Sequence, residues 1–405
     1  MDSNSNPKLG QLDKHQLARL GIFIGLTVII ILIDLVYADK FMDMSIELSK
    51  WLQQYNMDIP SFLLSYIVVI FGFVFVVAHF FKVKDKSEDF SGLFGLMICV
   101  WVHAFAKMMY MDTRPSFKST ELKNGTFNCV AEFGKPSGHA LFSFFLFLRI
   151  ARILEKRFFM GEKIKIAIGF VINCLIATSI GITRFYFGVH SFNQVILGAL
   201  LGSTIYFLVI LLHDHIDYYI YKPIFVKSQP DDHRTLKILL VTFGSLFSLS
   251  ILSYLRARFT LEADDSFKDS IVNCTYVKDG DFIFTFTDKM EYNCIFFACF
   301  NFLMIGYLFN PHNVKLGLFF YYDKSKLLFM CRLLLLVLTL SPVSLAVLFK
   351  FKFRLVNIIC QTLIFGVVSF FSGRELFNIM DLIGLPYCKE EETSKAEKEN
   401  IIEMS

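Results

Sequence analysis

Three cations and two histidines stand out in a chain whose apolar stretches otherwise carry little charge: Lys107, Arg114 and Arg184, with His139 and His190. They fall in three short segments. The first holds Lys107 and Arg114-Pro115, the second is Pro136-Ser137-Gly138-His139, and the third runs from Thr183-Arg184 to His190 and Gln194. Charge at the edge of hydrocarbon is costly unless it is partnered, and few acidic residues stand close in sequence. An anion is the natural partner, and phosphate matches guanidinium forks bidentately. Ser137 and Gly138 open an apolar run just after a proline. The first N–H groups of a helix are unpaired there and its dipole is positive, so an oxyanion suits the position. The Ser137 hydroxyl adds a donor, and Gly138 lets a ligand approach the backbone. An imidazole can attack phosphorus, and a second one can protonate the leaving oxygen. Singly, these residues have plainer readings: a snorkelling lysine, a loop arginine, a packed histidine. His103, one turn before Lys107, is assigned no role. Shared spacing and a shared membrane face favour the joint reading.

The elements that must position these residues are membrane spans. Of 405 residues, 55% are hydrophobic and 19% charged, against about 25% charged in a soluble domain. A water-soluble globule is excluded, as is disorder over most of the chain. The net charge of +4 gives no reason to expect nucleic acid. A span needs roughly 20 apolar residues. That criterion gives ten, at about 20–38, 61–81, 91–110, 139–154, 164–182, 191–212, 236–255, 292–309, 327–349 and 355–372. The fold class is all-α and polytopic: a six-helix core plus three to four additional C-terminal transmembrane helices. The parts are a cytoplasmic tail (1–19), a core with a three-part site (20–213), further helices with a luminal loop near 256–291 (214–380), and a charged tail (381–405). The first span lacks a cleavage site and reads as an anchor. Met42–Tyr55 reads as an interfacial amphipathic helix beside the site, and Asp34 as a residue reaching the interface.

Chain alternation puts the end of span three, the start of span four and the loop between spans five and six on one face. Loops on the opposite face carry 16 Lys and Arg against seven on this one, so the site is expected in the lumen. The glycosylation triplets at Asn124 and Asn273 fall on the same side. Nine cysteines show no metal-ligand spacing. Cys129, Cys274 and Cys294 lie in or beside polar loops where a disulfide can form, and the pairing stays open.

Lys-x6-Arg-Pro, Pro-Ser-Gly-His and Thr-Arg-x5-His together resemble the type 2 phosphatidic acid phosphatase/vanadium haloperoxidase superfamily. That group includes lipid phosphate, sphingosine-1-phosphate and dolichyl-diphosphate phosphatases and glucose-6-phosphatases. The resemblance covers about 20–213. It implies His190 as a nucleophile that becomes phosphohistidine, His139 as general acid, and Lys107, Arg114, Ser137, Gly138 and Arg184 as phosphate ligands, with no metal or other cofactor. Thr183 replaces the usual Ser. Gln194 stands where many members have Asp; four residues after His190, it can orient the imidazole on a shared helix face but brings no charge. The expected activity is hydrolysis of a phosphomonoester or diphosphate at the luminal face of an endomembrane such as the endoplasmic reticulum. Lipid phosphate is favoured over sugar phosphate because Phe117, Phe127, Phe133, Phe185, Tyr186 and Phe187 suggest an aromatic rim. The alternatives are a transporter, which would need matching halves, and a phosphate-binding relative without activity.

Overall fold

The computed structural model describes residues 14–82, 87–123, 132–156, 163–226, 232–263, 266–272, 274, 294–295, 298–309 and 354–382, and no strand occurs among them. Helix α1 is Lys14–Gln53. A short α2 (Asp58–Phe62) continues through a π-helical turn, Leu63–Ile67, into α3 (Val68–Lys82). Then come α4 (Ser87–Tyr110), the single turn α5 (Pro115–Lys118), α6 (Gly138–Leu154), α7 (Lys163–Tyr186) and α8 (Phe192–Leu211). The rest comprises α9 (His213–Ile216), a π-helical stretch Asp217–Val226, α10 (Asp232–Ala263), α11 (Ser266–Asp269), α12 (Ala298–Leu308) and α13 (Arg354–Leu382). Among the described residues, six helical segments are long and apolar enough to cross a membrane: Leu17–Gln53, Asp58–Val76, Ser87–Lys118, Ile164–Tyr186, Phe192–Leu211 and His233–Ala263. They correspond to expected spans one, two, three, five, six and seven. Span four is the shorter α6, of 17 residues, and spans eight and ten coincide with the apolar helices Ala298–Leu308 and Ile358–Phe371. The ninth span and the residues 1–13, 350–353 and 383–405 lie outside the described residues, while 14–19 of the expected N-terminal tail belong to α1.

Two expectations are corrected. Met42–Gln53 is no separate interfacial helix. It continues α1, whose 40 residues extend about 60 Å at 1.5 Å per residue. No Gly or Pro interrupts the chain between Gly25 and Pro60, so Asp39, Lys40 and Asp43 end the apolar run without ending the helix. Nor does Asp34 merely reach the interface: it is buried, ion-paired with Lys135 and hydrogen-bonded by the Asn193 amide. A carboxylate inside an apolar helix is tolerable because each of its partners is itself buried.

The chain forms two compact units, one of 1–78, 91–213 and 249–290 and the other of 79–90, 214–248 and 291–405. In the first, α8 is central and packs on α6 and α1, while α6 also packs on α7. Leu96, Cys99, Leu141, Phe145, Leu146, Tyr206 and Val209 fill the space between them. A side chain at Gly198 would collide with the Ser137 carbonyl, so α8 meets the start of α6 at backbone distance, as small residues allow between membrane helices. Ile22, Leu35, Phe71, Ile164 and Leu175 point outward and are exposed, which is the surface that hydrocarbon would cover. In the second unit His79 Nδ1 lies 2.8 Å from Asp89 Oδ2, and the Thr235 hydroxyl donates to the Tyr219 carbonyl at 2.8 Å.

Candidate active site

The three expected segments meet at one end of α4, α6, α7 and α8, tied by main-chain bonds. Ser116 N–H donates to the Gly188 carbonyl at 2.8 Å, joining the first segment to the third. Ser137 N–H donates to the Gln194 carbonyl at 2.9 Å, joining the second to the third. Helix α7 ends just before His190 because Gly188 takes a left-handed conformation, φ 62°, which glycine adopts without a Cβ penalty. Val189 N–H bonds back to the Arg184 carbonyl at 3.1 Å and Gly188 N–H to the Phe185 carbonyl at 2.9 Å. This Schellman closure turns the chain so that Arg184, still on α7, and His190, beyond it, stay close.

Each cation is buried. Lys107, Arg114 and Arg184 are 1%, 1% and 3% exposed, which in an apolar setting demands partners. Arg114 donates from Nε to the Glu132 carbonyl at 2.9 Å, from Nη1 to the Val189 carbonyl at 3.3 Å and from Nη2 to Glu132 Oε1 at 2.5 Å. Lys107 Nζ donates to the same Glu132 Oε1 at 2.9 Å and to the Phe133 carbonyl at 2.5 Å. Arg184 stands apart from this carboxylate. Its guanidinium carbon lies 5.7 Å from the Tyr66 ring centre and 5.6 Å from that of Phe187. Its Nε and Nη1 are buried without a hydrogen-bond partner among the described residues, and so is Ser137 Oγ at the start of α6. Buried donors left open cost free energy, and these belong to two of the three segments expected to bind phosphate.

The histidines complete the cluster. His139 sits in the first turn of α6, its ring edge-on to Tyr66 at 4.9 Å between centres. His190 is 2% exposed. Burial, then the charges of Arg114, Lys107, Arg184 and His139, hold its pKa well below the ordinary imidazole value. The neutral ring, with one lone pair, is therefore its resting form. Nδ1 lies 3.2 Å from Gln194 Oε1. The geometry differs from the expected shared helix face: α8 starts at Phe192, and Gln194 reaches back over the helix start, its Oε1 also accepting the Ser191 N–H at 3.1 Å. Thr183 is occupied in packing. Its hydroxyl pairs with that of Ser65 and bonds the Ile180 carbonyl at 2.7 Å.

Sequence reasoning missed Glu132, Tyr66 and Asp112. Glu132 was legible in one respect, being the only Asp or Glu between Lys123 and Ser137. Tyr66 is carried in by the π-helical turn of a different span and left no local signal. The aromatic rim is corrected: Phe117, Phe133, Phe185, Tyr186 and Phe187 are all buried, and they pack the core around the site. Phe127, Cys129, Asn124 and Asn273 lie outside the described residues. Cys274 is disulfide-bonded, and Cys294 is not part of a disulfide. An apolar cavity of about 230 Å³ lies beside the third segment, lined by Leu52, Pro60, Leu64, Ile182, Thr183 and Tyr186 among others.

Residues 90–217 match the family model of the PAP2 superfamily, so the resemblance read from the three motifs stands. No curated protein matches the chain. Among solved structures it is similar to a transmembrane PAP2 type phosphatidylglycerolphosphate phosphatase from Bacillus subtilis, with 21% identity and a TM-score of 0.39 over 50% of this chain and 98% of that one.

Proposed function

On the premise that residues 90–217 form a PAP2 superfamily segment, we propose that the chain is a membrane phosphatase that hydrolyses a lipid phosphate through a phosphohistidine, without a metal. The observation that carries this reading is the buried polar centre itself. Open donors on Ser137 and Arg184, with Lys107 and Arg114 beside them, surround a neutral histidine whose Nδ1 is already engaged. His190 Nε2 attacks phosphorus, and the bond to the leaving oxygen breaks as that oxygen takes a proton from His139. Water then attacks the phosphohistidine and returns a proton to His139. The P–N bond breaks, giving inorganic phosphate and neutral His190. Lys107, Arg114, Arg184, Ser137 Oγ and the first N–H groups of α6, beginning with Gly138, carry the equatorial oxygens, where fixed donors in a dry site act most strongly. Gln194 holds the imidazole tautomer. The catalytic core is 20–213, with the additional helices of 214–380 outside it.

The apolar cavity beside Thr183 supports a lipid substrate. It would hold acyl carbons against Leu52, Leu64 and Ile182, an environment that a sugar cannot use. Phosphate release from the purified protein, measured against a panel of lipid phosphates, lipid diphosphates and sugar phosphates, should be fastest with lipids. Release from sugar phosphates alone would replace the lipid reading, and no release from any would favour a binding protein. Orthovanadate should inhibit competitively, because its five-coordinate form bound to His190 resembles the transition state. Incubation with EDTA should leave the rate unchanged. Loss of activity with EDTA, restored by a divalent ion, would mean a metal site takes part.

The reading puts the site in the lumen of an endomembrane such as the endoplasmic reticulum, on the side with fewer basic loop residues. A single Lys123→Cys in a background cleared of other reactive cysteines tests this, since Lys123 follows Arg114 on the segment leading to Ser137. In oriented vesicles an impermeant thiol reagent should label it from the luminal side. Labelling from the cytoplasmic side alone would reverse the topology.

A further inference from the structure

Gln194 is held from both ends. Its Oε1 accepts from His190 Nδ1 at 3.2 Å and from Ser191 N–H at 3.1 Å. Its Nε2 donates to Asp112 Oδ2 at 2.9 Å and to the Thr113 carbonyl at 2.7 Å. The amide cannot be turned over. Exchanging O and N would set its NH2 against the Ser191 N–H and its oxygen against a carboxylate and a carbonyl. His190 Nδ1 must then be the protonated nitrogen, leaving the Nε2 lone pair for chemistry. The main chain closes over this amide: Gly134 N–H donates to the Asp112 carbonyl at 2.7 Å. A side chain at Gly134 would come within 2.6 Å of Gln194 Nε2. Gln194 is fully buried, so little water competes for these bonds.

We propose that Asp112 is a positioning residue for His190, acting through Gln194 as a carboxylate–amide–imidazole relay. The inference rests on the phosphatase reading but supplies what that reading lacked, a negative charge behind the nucleophile. A glutamine alone orients the ring. With a carboxylate on its Nε2, the amide is polarised, its oxygen becomes a stronger acceptor, and the positive charge that develops on the ring during attack gains a distant counter-charge. The aspartate that many relatives place after the histidine is thus supplied here from the first segment, 82 residues earlier.

The test uses the full-length protein in detergent or vesicles. Asp112→Asn keeps the shape and removes the charge. The kcat should fall by roughly 10- to 100-fold with KM little changed, less than the about 10⁴-fold that losing a directly bonded carboxylate costs a Ser-His-Asp triad. Gln194→Glu is isosteric and sets two carboxylates face to face, a pair that cannot readily ionise together. Lys118 and Asp39 are the other charged groups acting on Asp112. Turnover of this variant should fall as pH rises through the titration of the pair. Adding Asp112→Asn should abolish that alkaline loss, since the amide it introduces offers an N–H to the carboxylate introduced by Gln194→Glu. A purely structural bond would give no such pH-dependent rescue. Wild-type turnover in Asp112→Asn, or an alkaline loss that persists in the double variant, would overturn the relay. A second readout needs no substrate. In protein with ¹⁵N-labelled histidine, the His190 signal is identified by its absence in His190→Ala. Its Nδ1–H proton resonance should move upfield in Asp112→Asn and hold its place in Asp39→Asn. If it moves while no phosphate ester is turned over, the proposed function falls and the relay stands. If it does not move, the relay falls.

Discussion

Replacing His190 by alanine is expected to lower kcat by on the order of 10⁴-fold or more, because removal of a covalent nucleophile leaves only binding and electrostatics. The protein quenched in alkaline detergent, in which a phosphohistidine survives, after mixing with a ³²P-labelled substrate should carry acid-labile label on wild type and none on the variant. His139→Ala separates the two histidines. It should lose turnover of ordinary esters, whose leaving oxygen needs a proton, but still take up label from an ester with a good leaving group. The burial and neighbouring cations that lower the His190 pKa give the pH dependence its sign. The folded state holds this ring neutral below the ordinary imidazole value, so its proton is taken up more readily by the unfolded chain. Protein stability from this group is therefore present above pH 6.5 and declines as pH drops below it. Residual label at wild-type level in His190→Ala would move the nucleophile elsewhere.

Arg184→Ala carries the second large effect. Its Nε and Nη1 are buried without partners among the described residues, so the side chain is poised for something those residues do not supply. If that is a phosphoryl oxygen, kcat/KM should fall by about 10²- to 10³-fold, the cost of one aimed donor, and vanadate inhibition should weaken in parallel. Arg184→Lys keeps the charge but loses the planar fork that rests between Tyr66 and Phe187, so it should recover little of the loss. Either variant running within threefold of wild type, in protein that elutes and melts normally, would remove Arg184 from the phosphate site.

The parts of this molecule that could be read from sequence are those whose meaning is local. Apolar run length located six of the expected spans among the described residues, and the start of α6 after Pro136 was visible within a few residues. The spacing from Arg184 to His190 spans the end of one helix and a single glycine turn, so it too survived as a pattern. What could not be read is pairing between distant segments. Neither Glu132 nor Asp112 shows its partner locally, and Asp34 reads only as a residue reaching the interface. Each found its partner only when spans packed together: Asp112 with Gln194, Asp34 with Lys135 and Asn193. The boundary of α1 was missed for a different reason. Hydropathy ends near Ala38, whereas helical propensity runs on to Gln53, and a membrane helix has no obligation to stop where its apolar stretch does.

Glu132 changes what it means for an anion to enter this protein. One of its carboxylate oxygens already sits between Lys107 and Arg114, so on the proposed reading an incoming phosphate would not settle onto bare charge. It would have to displace a tethered competitor. Affinity would then reflect a difference between two anions, which would lower the hold on inorganic phosphate as much as on substrate. In the proposed reaction, the returning carboxylate would help to push the product out and would spare two buried cations an interval without a counter-charge.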